Sequence, residues 1–200
     1  MNADSVVDWW LGPARQDLAK LGERMPYWFG ASEEMDAQIS EQFGEAIVQA
    51  SLGDLDDWAE EPVGRLALVL LMDQFRRNVY RGTADAFACD DLALDLCLGG
   101  IEAGMDRQLG LVERIFFFMP LQHAESEPVQ HKAVETYDAL ASEAPDEVKE
   151  IFEGCANYAR LHRDIVLEFG RFPHRNTILG RDSTEEELAF LMSGPSFGQG

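Results

Sequence analysis

Arginine and histidine, the residues with which proteins bind anions and move protons, are concentrated in three short stretches of this chain. Residues 73–83, 107–125 and 160–184 contain ten of the thirteen arginines and three of the four histidines. These stretches carry 10 basic and 6 acidic residues, a net +4, whereas the whole chain carries −21, so the remainder carries −25. Guanidinium groups hold carboxylates and phosphates through paired hydrogen bonds. The pattern therefore predicts either an anion site or buried ion pairs between helices.

Two of these stretches contain similar motifs where a predicted helix ends. QFRRN at 74–78 and RFPHRN at 171–176 each place an aromatic residue before an Arg-Asn pair. Such pairs can cap the free carbonyl groups of a last helical turn, or they can meet and hold one carboxylate or phosphate. For the second alternative, the candidate ligand-binding residues are Asp73, Arg77, Asn78, Arg81, Arg171, His174, Arg175 and Asn176.

Two histidines are candidate catalytic bases. His162 lies on the apolar stripe of its predicted helix, and His123 follows Pro120, which interrupts another helix. Either imidazole could take a proton if a carboxylate, Glu125 or Asp73, orients it. The alternatives are that His162 is a core residue bonded to a partner from another segment, and that His123 caps the following helix.

Other chemistries lack a motif in this sequence. It contains no H-E-x-x-H, no zinc-type Cys–His spacing, no G-x-S-x-G and no glycine-rich phosphate loop. We therefore expect no metal and no cofactor. Cys89, Cys97 and Cys155 form no C-x-x-C pair, which is typical of reduced core thiols.

Helices must position all of these residues. Apolar periodicity predicts helices over 4–11, 32–52, 83–99, 110–119, 128–144, 146–169 and 183–193, and one that starts near Pro62. The last of these is apolar nearly all round at 66–72, so it should be the buried central helix. Ser32 and Gly53 are the expected cap and stop of the second helix. No alternating β-branched run predicts a sheet, so we expect an all-α fold, a single domain over residues 1–200 with about eight helices.

Composition limits the possible partners. A net charge of −21 disfavours nucleic acid and anionic membranes, because both would repel the chain. No apolar run approaches the roughly 20 residues needed to span a bilayer, and the N-terminus lacks the pattern of a secretory signal. We therefore expect a cytoplasmic protein that binds an anionic small molecule or a peptide; the composition leaves its oligomeric state open.

Three strings in the chain resemble the signatures of one family. They are DQFRRNVYRG at 73–82, PLQHAE at 120–125 and FGRFPHRN at 169–176, and the likeness extends from WWLG at 9–12 to PSFGQ at 195–199. The family comprises mostly bacterial helical proteins and is known only as a domain of unknown function. Its members usually have proline where this chain has Arg76. The resemblance implies a tetratricopeptide-like helical stack, although no 34-residue repeat is readable here, and it implies no activity.

Three functions are compatible with these observations. The first is a binding protein whose Arg/His-lined cleft takes an anionic small molecule or a peptide carboxylate. The second is a hydrolase or lyase with a histidine–carboxylate base. The third is an interaction scaffold whose arginines are purely structural.

Overall fold

The computed structural model describes residues 1–30, 32–195 and 197, and their regular structure is entirely helical. The all-α prediction is therefore confirmed. Part of the C-terminal string at 195–199 lies outside the described residues. Within the described part of the chain, every helix is too short or too polar to cross a bilayer. The α-helices are α1 (Ala3–Leu11), α2 (Leu21–Phe29), α3 (Glu33–Leu52), α4 (Pro62–Val69), α5 (Arg76–Val79), α6 (Asp90–Glu102), α7 (Leu111–Phe117), α8 (Met119–His123), α9 (Glu127–Glu143), α10 (Lys149–Phe169) and α11 (Glu185–Leu191).

Helix ends follow local capping chemistry. Ser32 accepts a hydrogen bond from the Met35 amide at 3.3 Å and begins α3, and Gly53 ends that helix in the left-handed region at φ 81°. Glycine suits this position because it has no Cβ to strain the turn. Thr184 and Glu187 form the reciprocal capping box that begins α11. The predicted cap and stop of α3 and the predicted start of α11 are confirmed, whereas α11 ends at Leu191, two residues before the predicted end.

The central helix is buried as predicted. It runs through α4, a π-helical segment (Leu70–Phe75) and α5, and it packs against α1, α3 and α6. Leu68, Leu71 and Phe75 are completely buried, and Met72 nearly so. Pro62 occupies the first turn, where its missing N–H leaves no carbonyl unpaired.

The structure departs from the predicted elements in three places. Residues 21–29 form α2 although Pro26 lies inside it, and apolar periodicity predicts no helix there. The helix expected over 83–99 begins at Asp90, after a short 3-10 turn at Ala84–Ala86. The helix expected over 110–119 ends at Phe117, and Pro120 lies in the first turn of the separate helix α8.

Candidate functional site

The π-helical segment positions the most deeply buried carboxylate of the site. A π turn carries one more residue than an α turn, which rotates the following side chains, and such turns are frequent at functional sites. All six residues of Leu70–Phe75 are buried, including Asp73 with no exposed surface and Gln74. An ionised side chain buried to this extent requires polar partners.

Asp73 has three such partners. Its Oδ1 lies 2.6 Å from Nδ1 of His123 and 2.9 Å from Nη1 of Arg77. The Gln74 carboxamide donates to Oδ2 at 2.5 Å. Burial alone would raise the pKa of Asp73, but Arg77 and His123 outweigh burial and hold the pKa well below its ordinary value. Asp73 is therefore ionised at neutral pH.

The tautomer of His123 follows from this contact. An ionised carboxylate can only accept, so Nδ1 carries the proton and Nε2 carries the lone pair. Burial and the charge of Arg77 lower the pKa of His123, although Asp73 acts in the opposite direction. At neutral pH His123 is a neutral imidazole whose Nε2 can accept a proton.

A second carboxylate joins the two Arg-Asn motifs. Asp90 Oδ2 accepts from Nη2 of Arg77 at 2.9 Å and from Nη1 of Arg175 at 3.2 Å. Arg175 also donates to the backbone carbonyl of His123 at 3.0 Å. Burial and the charge of Arg77 lower the pKa of Arg175 to about 10, so it stays charged at neutral pH. The expectation that the two motifs meet in space is confirmed for their arginines, which share a carboxylate of the protein itself.

The asparagines of the two motifs diverge. Asn78 donates to Asp36 Oδ1 at 2.8 Å, and Arg81 holds the same carboxylate through Nε at 2.8 Å and Nη2 at 2.9 Å. Asn176 instead donates to Glu187 Oε2 at 3.2 Å.

Arg171 also pairs with Glu187, through Nε at 2.6 Å and Nη2 at 2.8 Å. The structure thus separates Arg171 and Asn176 from the cluster around Asp73, because they fasten the start of α11 to the end of α10.

Glu125 does not lie beside either candidate base. It accepts from the Phe172 amide at 2.8 Å and from the Arg181 guanidinium at 2.6 and 2.9 Å. Of the two carboxylates considered for His123, Asp73 contacts the imidazole. Glu125 instead links its own segment to Phe172 and Arg181. His174 is buried against the ring of Phe172, 5.6 Å between centroids.

A cavity of about 610 Å³ opens beside His123. Its lining includes three of the predicted ligand-binding residues, Arg77, Asn78 and Arg81, and both candidate bases, His123 and His162. Asp73 lies directly behind His123, whereas Arg171, His174, Arg175, Asn176 and Glu125 do not line it. The described residues that line the cavity are Met25, Trp28, Phe29, Gly30, Gln74, Arg77, Asn78, Arg81, Met119, Gln122, His123, Glu150, Ile151, Gly154, Cys155, Tyr158, His162, Pro195 and Phe197.

His162 lies next to His123, with 6.0 Å between the ring centroids. Its Nδ1 donates to the Tyr158 carbonyl at 2.8 Å, one turn earlier on α10. The expectation that its partner comes from another segment is therefore wrong, because the carbonyl four residues back lies within reach of a helical side chain. Burial and the neighbouring His123 lower the pKa of His162 to about 3, so it is neutral.

Several residues of the site could not be predicted from the sequence patterns. Asp90 occupies the first turn of α6, an ordinary place for an acidic residue, and only the fold brings it to both arginines. Gln122 is buried at the cavity, where its carboxamide contacts the Met119 sulfur at 3.9 Å and the hydroxyl of the buried Tyr137. Trp28 and Phe29 reach the cavity from α2, the helix that the sequence reading missed.

Comparisons with other proteins place the chain in a family without assigning it a reaction. The family described as "Bacterial protein of unknown function (DUF924)" matches residues 6–195. A solved structure of a protein of unknown function, ATU0120, from Agrobacterium tumefaciens is 36% identical. The alignment covers 96% of this chain and 97% of that one, with a TM-score of 0.80. Comparison with curated proteins gives no match.

Proposed function

The chain belongs to the bacterial family of unknown function DUF924, and from the geometry of its cleft we propose that it is an enzyme in which His123 acts as a general base. One observation carries the proposal. Asp73 lies 2.6 Å from Nδ1 of His123, which leaves the lone pair on Nε2 of a cavity-lining imidazole. A neutral imidazole oriented by a buried carboxylate is a common arrangement for proton abstraction.

The cavity lining favours water as the nucleophile. The described residues of the lining include no serine or threonine. Burial raises the pKa of Cys155 to about 11, so its thiol stays protonated and is a poor nucleophile. We therefore propose hydrolysis of a small ester or amide by activated water.

In this reaction Nε2 of His123 takes a proton from water while the water oxygen bonds to the substrate carbonyl carbon. The imidazolium then returns that proton to the leaving oxygen or nitrogen as its bond to carbon breaks, giving an acid and an alcohol or amine. Asp73 stays ionised and orients the ring. Gln122 lines the cavity, and we assign the carboxamide N–H that Tyr137 does not use to the developing oxyanion.

Hydrolysis of p-nitrophenyl acetate, butyrate and benzoate tests the proposal. His123→Gln should lower kcat/KM by roughly 10²–10⁴-fold, the usual contribution of a general base. His131→Gln, on the exposed face of α9, is the matched control.

The wild-type rate should rise with pH through a midpoint below 6.5, because the base must be unprotonated and the pKa of His123 is lowered. Asp73→Asn should change that midpoint if Asp73 positions the ring. Wild-type rates equal to those of His123→Gln on all three esters would refute the proposal.

The second candidate function is binding of an anionic small molecule or peptide carboxylate without chemistry. The presence of Arg77, Asn78 and Arg81 in the lining favours it. It ranks second because both guanidinium groups already hold carboxylates of the chain. Thermal shifts with phosphate, citrate and benzoate test it, since a ligand of the folded state raises Tm. A shift that Arg81→Gln removes and His123→Gln keeps would favour binding alone.

The broader expectations belong to the same proposal. A reducing cytoplasm fits the three free, buried cysteines, and the charge of −21 is the argument against nucleic-acid and membrane partners. A tetratricopeptide-like stack is supported by the packing of α9 along α10 as a helix pair.

A further inference from the structure

The cavity has an apolar half that the proposed chemistry does not use. Two helices, α2 and α10, supply most of its apolar lining residues, and a Cβ built on Gly22 of α2 would lie 4.0 Å from the Ile151 side chain of α10. Side chains spaced three and four residues apart share one helix face. The wall residues are Met25, Trp28 and Phe29 on α2 and Ile151, Gly154, Cys155 and Tyr158 on α10.

Gly154 leaves the backbone of α10 bare at the centre of this wall. It lies within a 21-residue helix, where glycine is less favourable than any residue except proline. A Cβ built there would meet no atom of the described residues within 4 Å. Among the described residues, no side chain covers the helix at Gly154, and Ile151 and Tyr158 lie about one turn away on either side.

Aromatic rings at the same cavity are left partly in water. Phe29 is 52% exposed and Tyr158 59% exposed, although both line the cavity. Exposed aromatic side chains grouped at a concave site are typical of ligand-binding surfaces. Aromatic rings attract other rings beyond the area they bury.

Building on the general-base proposal, we infer that the substrate carries an uncharged aromatic group that rests on α10 at Gly154, against Phe29 and Tyr158. The polar group that reacts then points towards His123 at the other end of the cavity. An aromatic ring is favoured over an aliphatic chain because the wall combines a flat backbone surface with ring side chains. A charged body is disfavoured, because the described apolar half offers no charged side chain except Glu150, which lies exposed on α10.

Fluorescence titration with N-phenyl-1-naphthylamine tests this inference. The probe is uncharged and aromatic, and it brightens in apolar surroundings. The full-length wild type should bind it, and Gly154→Leu should weaken binding at least ten-fold, because the new side chain fills the space over the helix. Gly44→Leu is the matched control, since Gly44 lies within α3, away from the cavity, and a Cβ there also meets nothing within 4 Å. It should bind the probe as the wild type does.

Competition distinguishes an aromatic from an aliphatic group. We expect 4-phenylbutanamide to displace the probe at a concentration at least five-fold lower than octanamide. Equal displacement, a wild type that does not bind the probe, or equal binding by Gly154→Leu and Gly44→Leu would each overturn the inference. His123→Gln should still bind the probe. Probe binding without ester hydrolysis would thus refute the general base and support the aromatic subsite. Ester hydrolysis without probe binding would refute the subsite and support the general base.

Discussion

Acidification should destabilise this protein at pH values above those at which its carboxylates titrate, because the folded chain buries neutral imidazoles. His162 is 7% exposed, and burial is the main reason that its pKa falls to about 3 from an ordinary value of 6.5. The unfolded chain binds a proton at His162 below pH 6.5, whereas the folded chain does not until about pH 3. The free energy of unfolding must therefore decrease as pH falls through this window.

The magnitude follows from the size of the shift. One pH unit corresponds to about 1.4 kcal/mol per proton, so His162 alone should cost about 2 kcal/mol between pH 7 and pH 5. His174, whose pKa is also lowered to about 3 by burial, should add a similar amount. The lowered pKa of Asp73 acts in a different window, since its contribution is lost only as pH falls below about 4.

Urea unfolding of the wild type and of His162→Gln at pH 7, 6 and 5 measures this effect. The loss of unfolding free energy between pH 7 and 5 should be about 2 kcal/mol smaller in the variant, whatever its stability at pH 7. His131→Gln is the control, because its side chain is 53% exposed in the folded chain. Equal losses in wild type and His162→Gln would refute the reasoning.

Three further predictions concern stability in urea unfolding at neutral pH. Leu71→Ala should cost about 2–5 kcal/mol, because the side chain is completely buried on the central helix; a loss below 1 kcal/mol would contradict this packing. Arg175→Met should cost about 1.5–3 kcal/mol through its lost charge-assisted hydrogen bonds, while Asp90 keeps its other guanidinium. An unchanged urea midpoint would show that the hydrogen bonds of Arg175 do not stabilise the fold. Gly154→Ala should raise the free energy of unfolding by about 0.5–1 kcal/mol, as should Gly44→Ala, because both glycines lie within helices and no described residue lies within 4 Å of a Cβ built on either. A loss in Gly154→Ala alone would show that this space is filled in the folded protein.

Much of the fold could be predicted from the sequence because helix ends depend on local chemistry. A cap or a stop depends on the backbone within about four residues, so Ser32, Gly53 and Thr184 marked helix ends correctly. The same holds for the central helix, whose apolar residues had to be buried whichever elements covered them. The sequence analysis predicted no helix at α2 because Pro26 argues against one, and the contacts that stabilise α2 are tertiary, such as the packing of Trp28 on Phe116.

Some features of the candidate site could be predicted from the sequence, and the others depend on the tertiary structure. By itself the sequence determined that arginine and histidine are concentrated in three stretches, that His123 lies at a helix interruption, and that two similar Arg-Asn motifs follow predicted helices. Only the tertiary structure decided that Asp73 rather than Glu125 accompanies His123, that Asp90 links Arg77 to Arg175, and that an apolar wall faces the base. The physical reason is that a charge selects its partner by distance in space. That distance depends on how helices far apart in sequence pack, and on the rotation that the π-helical segment imposes on Asp73.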